Sequence, residues 1–444
     1  MRFPHPLALL AGGIALAAAL TWVVPAGRYE RHQDPVTGRE VVTAGTYHRV
    51  AAAPVSPFDA LVAIPKGAGQ AASVIFLVLL TGASFAVVDR TGAFRRAAHT
   101  LGGTGSGGIL FVIVLNALLF AAGGALENMA EEIIALVPAL LLLTSRLGLD
   151  PVVAVAMSLG AAGVGAAFSP INPFQVGIAQ KLAGLPLLSG APFRLVFLAL
   201  ALAIWIRGTY AHALRTRTVP APGGAGTAER TAPRDIAIWA IVAAALALLV
   251  LGVLRLGWDF DQITADFSAM GVLVGLIGGL GVQGTAAAFA EGFGTMAYAA
   301  MLIGLARGIF VVLENGRIID TIVNAIFTPI AHLPAALSAL GMLVAQAGIH
   351  FPVPSVSGQA VLTMPVIVPV ADLIGLSRQV AVLAYQYGAG LADLITPTNG
   401  ALMAVVAAAG VSYEHWLRFA IPRTLALLAL AAGAILLAIA VGLH

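Results

Sequence analysis

The chain contains no cysteine, so disulfide bonds, thiolate metal sites and thiol-dependent catalysis are excluded. Charged residues are also scarce. Asp, Glu, Lys and Arg make up 10% of the sequence, whereas a soluble globular chain has about a quarter. The net charge of +3 is small, and the basic residues lie between apolar segments, so a nucleic-acid partner is not indicated.

Apolar sequence is abundant instead: 60% of the residues are hydrophobic and the mean hydropathy is +0.97. Apolar stretches near the ~20 residues that a bilayer requires recur along the chain. We therefore predict an all-α protein that crosses a membrane many times. The first apolar run, Leu7 to Val24, is long for a signal peptide and lacks a clear cleavage site, so we interpret it as a membrane span.

A motif of the form [Ser/Thr]-Pro-x-Asn-[Pro/Gly] occurs twice, each time inside an apolar stretch. The copies are Ser169–Pro173 and Thr396–Gly400. Such a motif ends one helix and starts another within a hydrophobic span. Membrane proteins tolerate the freed backbone groups where these are buried in protein or line a wet cavity. Paired breaks in two halves of a chain indicate the binding site of a secondary transporter, and a plain proline kink is the structural alternative.

The sequence also resembles itself. Phe85–Gly92 matches Phe310–Gly316, and short amphipathic segments precede both, at Phe58–Gln70 and Ala286–Thr295. An internal duplication explains matches that recur in the same order. We predict a first repeat at residues 1–206, a cytoplasmic linker at 207–235, an additional transmembrane helix at 236–257 and a second repeat at 266–444.

The positions of the arginines suggest how the two repeats are oriented. Three clusters satisfy the positive-inside tendency if all lie in the cytoplasm: Arg90 with Arg95 and Arg96, the linker cluster that includes Arg230, and Arg418 with Arg423. The N-terminus is then cytoplasmic and the two repeats are inverted. We expect a multi-pass protein of the cell inner (plasma) membrane.

Each repeat also contains a pair of apolar segments that looks too short to cross the membrane twice. In the first repeat, arms of roughly 15 residues run from Gly107 to Ala122 and from Met129 to Leu143, joined by Gly123–Asn128. We predict a re-entrant hairpin at about 107–145 and another at about 337–370, with its tip at Pro354–Gln359. Broken helices follow at about 151–188 and about 378–408.

The hairpin tips and the breaks supply the candidate site residues. For substrate binding we predict Glu127, Asn128, Ser169, Asn172, Ser355, Ser357, Gln359, Thr396, Thr398 and Asn399. For ion coupling we predict Glu131, Asn172, Asp393 and Asn399, which with freed carbonyls can bind Na⁺ or exchange H⁺. We expect no other metal and no cofactor.

The breaks also predict helix caps. Ser169 and Thr396 are expected to cap the helices that restart, with Pro170 and Pro397 at the first helical positions. The free N–H groups at such a start form an anion site without a basic side chain.

Several charged residues lie within the apolar segments. Glu127 and Glu131 are four residues apart, which in a helix places them on one face, with Glu132 adjacent. A charge inside a span indicates function, although acids in a first helical turn also favour the helix dipole. Asp393 is a candidate ligand for a cation, a substrate amine or a proton; its structural alternative is pairing with a buried Arg.

Two further residues receive structural interpretations. Arg307 can meet a substrate carboxylate or pair with a glutamate that holds scaffold and substrate domain together, and we favour the pairing. We expect His350, on a hairpin arm, to be a packed polar residue rather than a proton relay.

The order of hairpin, [Ser/Thr]-Pro-x-Asn break and inverted repeat is accompanied by local matches at Ser355–Gln359 with Leu362–Pro365, Ser377–Ala381, Glu131-Glu132 and Gly304–Gly308. Together these features resemble the C4-dicarboxylate anaerobic carrier family, especially its YfcC-like branch. The resemblance covers nearly the whole chain and extends to the ion-transporter group with the INDY-type carriers. It implies a homodimeric elevator-type carrier, whose substrate domain moves against a scaffold. Similar carriers transport dicarboxylates, amino acids such as arginine and ornithine, or short fatty acids.

We therefore predict a secondary active transporter, not an enzyme, for a small carboxylate-bearing solute such as a C4-dicarboxylate, by symport or antiport. Without a nucleotide-binding motif, the energy must come from a gradient. The helix starts favour a dicarboxylate, whereas Glu127, Glu131 and Asp393 favour an exchanger of amino acids such as arginine and ornithine. A channel and a membrane-embedded enzyme are remote alternatives, because inverted repeats with broken helices are most typical of carriers.

Overall fold

The computed structural model describes residues 6–35, 40–43, 45–93, 106–218, 233–256 and 258–443. The central part of the predicted linker lies outside these ranges. So do Arg95, Arg96 and Arg230, on which the predicted orientation partly rests.

The described part of the chain is mostly helical, and eight of its helices are long and apolar enough to cross a membrane. This confirms the predicted all-α, polytopic membrane fold. Two small antiparallel sheets lie between the first two helices. One pairs β1 (Gly27–Arg28) with β4 (His48–Arg49), and the other pairs β2 (Arg31–Gln33) with β3 (Glu40–Val42).

In the first half the helices follow one another with two interruptions by wider π-helical turns. They are α1 (Pro6–Val23), α2 (Pro57–Gln70), α3 (Ala72–Arg90), α4 (Ser106–Glu127), α5 (Glu132–Arg146), α6 (Pro151–Val155), a π turn (Ala156–Gly160), α7 (Ala161–Phe168), a π turn (Pro173–Gly177), α8 (Ile178–Leu182) and α9 (Ala191–Thr216).

The second half has the same order of long helices and breaks, with one helix ahead of it. The elements are α10 (Pro233–Leu251), a π turn (Gly252–Leu256), α11 (Phe260–Ile277), α12 (Gly281–Asn315), α13 (Ile319–Ile330), α14 (Ala335–Ile349), α15 (Val356–Leu373), α16 (Arg378–Ala392), α17 (Gly400–Ala408) and α18 (Tyr413–Ala440).

Equivalent elements of the two halves make equivalent contacts. Helix α4 packs on α7, as α14 packs on α16, and α7 and α16 pack on each other. Helices α9 and α18 lie against this pair and against each other. The segment from Pro151 to Leu182 is almost entirely buried, and so is α16, so the broken helices occupy the centre of the protein. The inversion of the repeats stays a prediction.

The first hairpin differs from its predicted shape. Helix α4 has 22 residues and continues to Glu127, so the prediction of a first arm of roughly 15 residues ending at Ala122 is wrong. The glycines do not turn the chain; they permit close packing of α4 on α7. A Cβ on Gly124 would lie 2.0 Å from the Ala162 oxygen, and one on Gly165 would lie 2.1 Å from the Ala121 oxygen.

Other element boundaries also differ from the sequence expectation. The predicted amphipathic segment Ala286–Thr295 is continuous with the following span, because both belong to the 35-residue helix α12. Helix α9 extends to Thr216, into the region predicted as linker.

Candidate functional site

The first break is a short extended segment between Phe168, where α7 ends, and Pro173, where the chain becomes helical again. The Asn172 side chain caps the new helical segment, its Oδ1 accepting hydrogen bonds of 2.9 Å from two backbone N–H groups, including that of Gln175. The Ser169 hydroxyl accepts from the N–H groups inside the break.

The second break has the same cap. Helix α16 ends at Ala392 and α17 begins at Gly400. The Asn399 side chain accepts a hydrogen bond of 3.0 Å from the N–H of Leu402. The Thr396 hydroxyl faces backwards and donates to the Ala392 oxygen at 2.7 Å.

The predicted capping roles of Ser169 and Thr396 are therefore wrong. The helices restart after the Asn of each motif, not after the Ser or Thr, so Asn172 and Asn399 adjoin the free N–H groups. Both asparagines have non-helical backbone angles, as a capping residue requires.

The first hairpin tip is hydrogen-bonded to the first break. Asn172 Nδ2 donates to the Gly124 carbonyl at 2.8 Å, and Ser169 Oγ donates to the next carbonyl along α4 at 2.7 Å. Asn128 has a φ of 59°, in the left-handed region that asparagine tolerates, and turns the chain out of α4. Its Oδ1 accepts from Gln175 Nε2 at 2.8 Å.

The second hairpin tip is joined to the second break in a parallel way. Thr398 Oγ1 donates to the Phe351 carbonyl at 2.7 Å. His350 Nε2 lies 2.6 Å from Asp393 Oδ1, and Asn399 Nδ2 donates to the same oxygen at 2.6 Å. The structural alternative for Asp393, a buried Arg partner, is not seen in the described residues; His350 and Asn399 take that place.

A buried arginine connects the two halves close to the first break. Gln386 Nε2 donates to the Ser169 carbonyl at 2.6 Å, and its Oε1 accepts from Arg194 Nε at 3.0 Å. Arg194 also donates to the Gln379 side chain at 3.0 Å and to the Ser189 carbonyl at 2.8 Å. Neutral acceptors thus hold this fully buried guanidinium in place.

A cavity of about 690 Å³ lies where the tips and breaks meet. Its size is within the range of small-molecule sites. Five carboxylates line it, and the described lining residues include no Lys or Arg. The acids are Glu127, Glu131, Glu132, Asp259 and Asp393.

The structure divides the predicted site residues into two groups. Those that line the cavity are Glu127, Asn128, Glu131, Ser355, Ser357, Asp393 and Asn399. Those that lie behind it are fully or almost fully buried and hydrogen-bonded: Ser169, Asn172, Gln359, Thr396 and Thr398. The second group supports the backbone of the breaks and tips rather than facing the cavity.

The acids reach the cavity from three regions of the chain: the first hairpin tip, the segment before α11 and the second break. Glu127 is the last residue of α4 and Glu131 immediately precedes α5, so the expectation of one helical face for this pair is wrong. The intervening turn brings them together. Glu132 Oε2 accepts from the Ala130 N–H at 3.1 Å. Asp259, which precedes α11, was missed because nothing local in the sequence relates it to the breaks.

Arg307 is held by α2, not by a glutamate as predicted. Its Nε donates to Gln70 Oε1 at 3.0 Å, and its guanidinium lies 4.7 Å from the centre of the Phe310 ring. Arg307 lines a second cavity of about 570 Å³, which meets the acidic cavity at Ser355.

Comparisons of this chain with family models and with known proteins agree on one family. The family model of the C4-dicarboxylate anaerobic carrier matches residues 3–440. The chain is 32% identical to a protein of Escherichia coli (strain K12) described as a putative basic amino acid antiporter, YfcC, over 94% of this chain and 92% of that one. It is 28% identical to an uncharacterized protein of Haemophilus influenzae, over 100% and 98% of the two chains.

Two solved transporters are also similar. The YdaH transporter of Alcanivorax borkumensis is 17% identical with a TM-score of 0.44, covering 99% of both chains. MtrF of Neisseria gonorrhoeae, described with a class of antimetabolite efflux pumps, is 18% identical with a TM-score of 0.37, covering 98% of this chain and 95% of that one. Similarity at this level carries no information on mechanism.

Proposed function

The chain belongs to the C4-dicarboxylate anaerobic carrier family, and we propose that it is a secondary active carrier of basic amino acids such as arginine and ornithine. The family is one of carriers, and the Escherichia coli relative is described as a putative antiporter, so both are transporters rather than enzymes. The proposal concerns the substrate, the coupling and the mechanism of movement.

The charge of the cavity carries the substrate proposal. Five carboxylates face it, and its described lining includes no basic side chain. In a site of low dielectric constant, like charges repel more strongly than in water, so a dicarboxylate dianion would be strongly disfavoured. A guanidinium or ammonium group would be attracted. Of the two substrate classes predicted from the sequence, the electrostatics favour the amino acid over the dicarboxylate.

The start of α17 supports recognition of the other end of an amino acid. Asn399 caps the N–H of Leu402, which leaves the N–H groups of Gly400 and Ala401 at the helix start. Asn399 and Ala401 line the acidic cavity. A helix start attracts a carboxylate through its N–H groups and dipole. A basic amino acid has a carboxylate for this position and a cationic side chain for the acids.

The hydrogen bonds between tips and breaks support an elevator-type movement. Each tip is held to its own break, and Gln386 and Arg194 hold the two halves together behind the site. We propose that these elements move as one body against a scaffold, within a homodimer of the inner membrane whose N-terminus is cytoplasmic. Resemblance to elevator carriers and the equivalent packing of α4 on α7 and α14 on α16 support this.

Transport in proteoliposomes tests the proposal. Purified protein is reconstituted with unlabelled arginine, ornithine, succinate or fumarate inside, and entry of labelled arginine or labelled succinate is measured. We expect labelled arginine to enter when arginine or ornithine is inside, and labelled succinate to be excluded. Entry of succinate without arginine would establish the dicarboxylate alternative, and entry of neither would reject both classes. An electrical current far larger than the turnover of a carrier can produce would indicate a channel.

A further inference from the structure

A buried histidine lies behind the acidic cavity and contacts one of the acids that line it. His350 immediately follows α14 and is 0% exposed, whereas Asp393, before the second break, is 23% exposed and faces the cavity. The two ring nitrogens of His350 have different partners. Nδ1 lies 2.9 Å from Gln359 Oε1, and Nε2 lies 2.6 Å from Asp393 Oδ1.

The neighbours of Gln359 determine which ring nitrogen carries hydrogen. Gln359 Nε2 donates to the backbone carbonyl of Gln346 at 2.7 Å. Because that carbonyl can act only as an acceptor, the amide of Gln359 cannot be reversed, and its Oε1 must face His350. An amide oxygen accepts, so Nδ1 of His350 must donate.

The neighbours of Asp393 are determined in the same way. Asn399 Oδ1 accepts from the N–H of Leu402 at 3.0 Å, so Asn399 Nδ2 is the atom that donates to Asp393 Oδ1. With hydrogen on Nδ1, a neutral His350 would present the lone pair of Nε2 to Oδ1. Two acceptors cannot form a hydrogen bond at 2.6 Å. This contact therefore requires one additional proton, on Nε2 or on Oδ1.

We propose that His350 and Asp393 form a proton-binding site through which this carrier exchanges H⁺ for a cationic substrate. The proposal rests on the proposed carrier function and adds the coupled ion. Loss of the proton removes the hydrogen bond between His350, beside the second hairpin tip, and Asp393, before the second break, and leaves the bond from Thr398 to the Phe351 carbonyl in place. A positively charged substrate beside Asp393 favours that loss, because the charges repel. Proton and substrate therefore compete, which is the condition for antiport.

The charged groups that face the pair are those of the cavity lining. Among the described lining residues, the other titratable groups are all acids: Glu127 at the end of α4, Glu131 just before α5, Glu132 at the start of α5, and Asp259 before α11. A proton on the pair therefore faces carboxylates across the cavity. On the protein side, the polar neighbours are Gln346, Gln359, Thr363 and Asn399, and the phenols of Tyr385 and Tyr413 donate to backbone carbonyls.

The first test measures proton release by the wild-type protein. Arginine binding to purified protein is followed by calorimetry in two buffers of different ionisation enthalpy. We expect release of about one proton per arginine, and an apparent affinity that falls by up to about tenfold for each unit by which the pH is lowered, because proton and arginine compete. Binding of arginine without proton release and without pH dependence overturns the proton site and leaves the proposed substrate intact.

A histidine variant identifies the group responsible. In His350→Gln the amide can donate to Asp393 without an added proton, so we expect arginine still to bind but no longer to release a proton. His332→Gln is the matched control, because His332 is an exposed histidine in the loop that precedes α14. It should release the same proton as wild type. Equal proton release by all three proteins overturns the assignment to His350.

A third measurement needs no substrate and remains valid if arginine is not bound. The chain has no cysteine, so Ser357→Cys provides a single thiol at the second tip, facing the cavity. Its alkylation rate is measured against pH with His350 present and with His350→Gln. We expect the rate with His350 divided by the rate with His350→Gln to rise with pH, because deprotonation removes the bond between His350 and Asp393 and so weakens the attachment of the tip to the break. A ratio that is constant with pH overturns the proposal.

Discussion

The Gln386 side chain donates a hydrogen bond of 2.6 Å to the Ser169 carbonyl, so the helix before the second break holds the backbone of the first. Ser169 lies where α7 has ended and its carbonyl has no helical partner. A backbone group left free at membrane depth costs several kcal/mol unless it is satisfied. One glutamine from the other half of the chain meets this requirement and also accepts from Arg194.

Replacement of this glutamine should destabilise the protein. Gln386→Leu leaves the Ser169 carbonyl and one donor of Arg194 without partners, and we expect the free energy of unfolding to fall by about 2–3 kcal/mol. Thermal unfolding in detergent measures this as a lower melting temperature. Gln33→Leu, on the exposed strand β2, is the matched control and should melt like wild type. Equal melting of Gln386→Leu and wild type would contradict the role given to this side chain.

Arg194 should not tolerate replacement by lysine. Its planar guanidinium reaches three acceptors in different directions, whereas an ammonium is a compact point charge. We expect Arg194→Lys to lower the free energy of unfolding by about 2 kcal/mol, measured by thermal unfolding. Arg255→Lys, at an exposed position, is the control and should not change the melting temperature. A comparable decrease in Arg255→Lys would mean that the effect comes from exchanging Arg for Lys in general and not from the buried site of Arg194.

Close packing of α4 on α7 should be sensitive to a single methyl group. A Cβ at Gly165 would lie 2.1 Å from the backbone oxygen of Ala121, whereas one at Gly433 in α18 would meet nothing within 4 Å. We expect Gly165→Ala to reduce the yield of folded protein and the melting temperature, because backbone must move. Gly433→Ala should be neutral or slightly stabilising, since Ala is the better helix former. Size-exclusion profiles and melting curves compare the two.

Neutralising one acid of the cavity should weaken binding of a cationic substrate. For Glu131→Gln we expect the affinity for arginine to fall about tenfold, equivalent to ~1.4 kcal/mol, because one attractive charge is removed. Equilibrium binding at low and high salt measures the effect, which should decrease as salt screens the remaining charges. Glu30→Gln removes the same charge at an exposed position and should bind like wild type. Unchanged affinity in Glu131→Gln would contradict the proposed substrate class.

Several features of the site could be predicted from the sequence because they depend on local chemistry. A Pro and an Asn inside an apolar run are incompatible with a continuous helix, and the structure has breaks at both motifs. The polar residues between apolar arms predicted the tips at Glu127, Asn128, Ser355 and Ser357, and these residues line the cavity.

Other predictions failed because the same local sequence pattern is compatible with more than one tertiary structure. Gly123 and Gly124 were interpreted as a turn, yet they lie within α4. A glycine pair suits a turn as well as a close helix contact, and the approach of α7 decides between them. Similarly, either polar residue of Ser-Pro-x-Asn can cap a helix; the position at which the helix restarts makes Asn172 the cap.

The sequence by itself determined that this protein is an all-α membrane protein with two interrupted spans, because composition and backbone chemistry act over short distances. Tertiary structure alone decided which charges meet. Asp259 joins the acids of the first hairpin tip, and His350 contacts Asp393 across 43 residues of chain. Electrostatic and hydrogen-bond energies depend on distance in space, and the spacing of residues along a chain does not specify that distance.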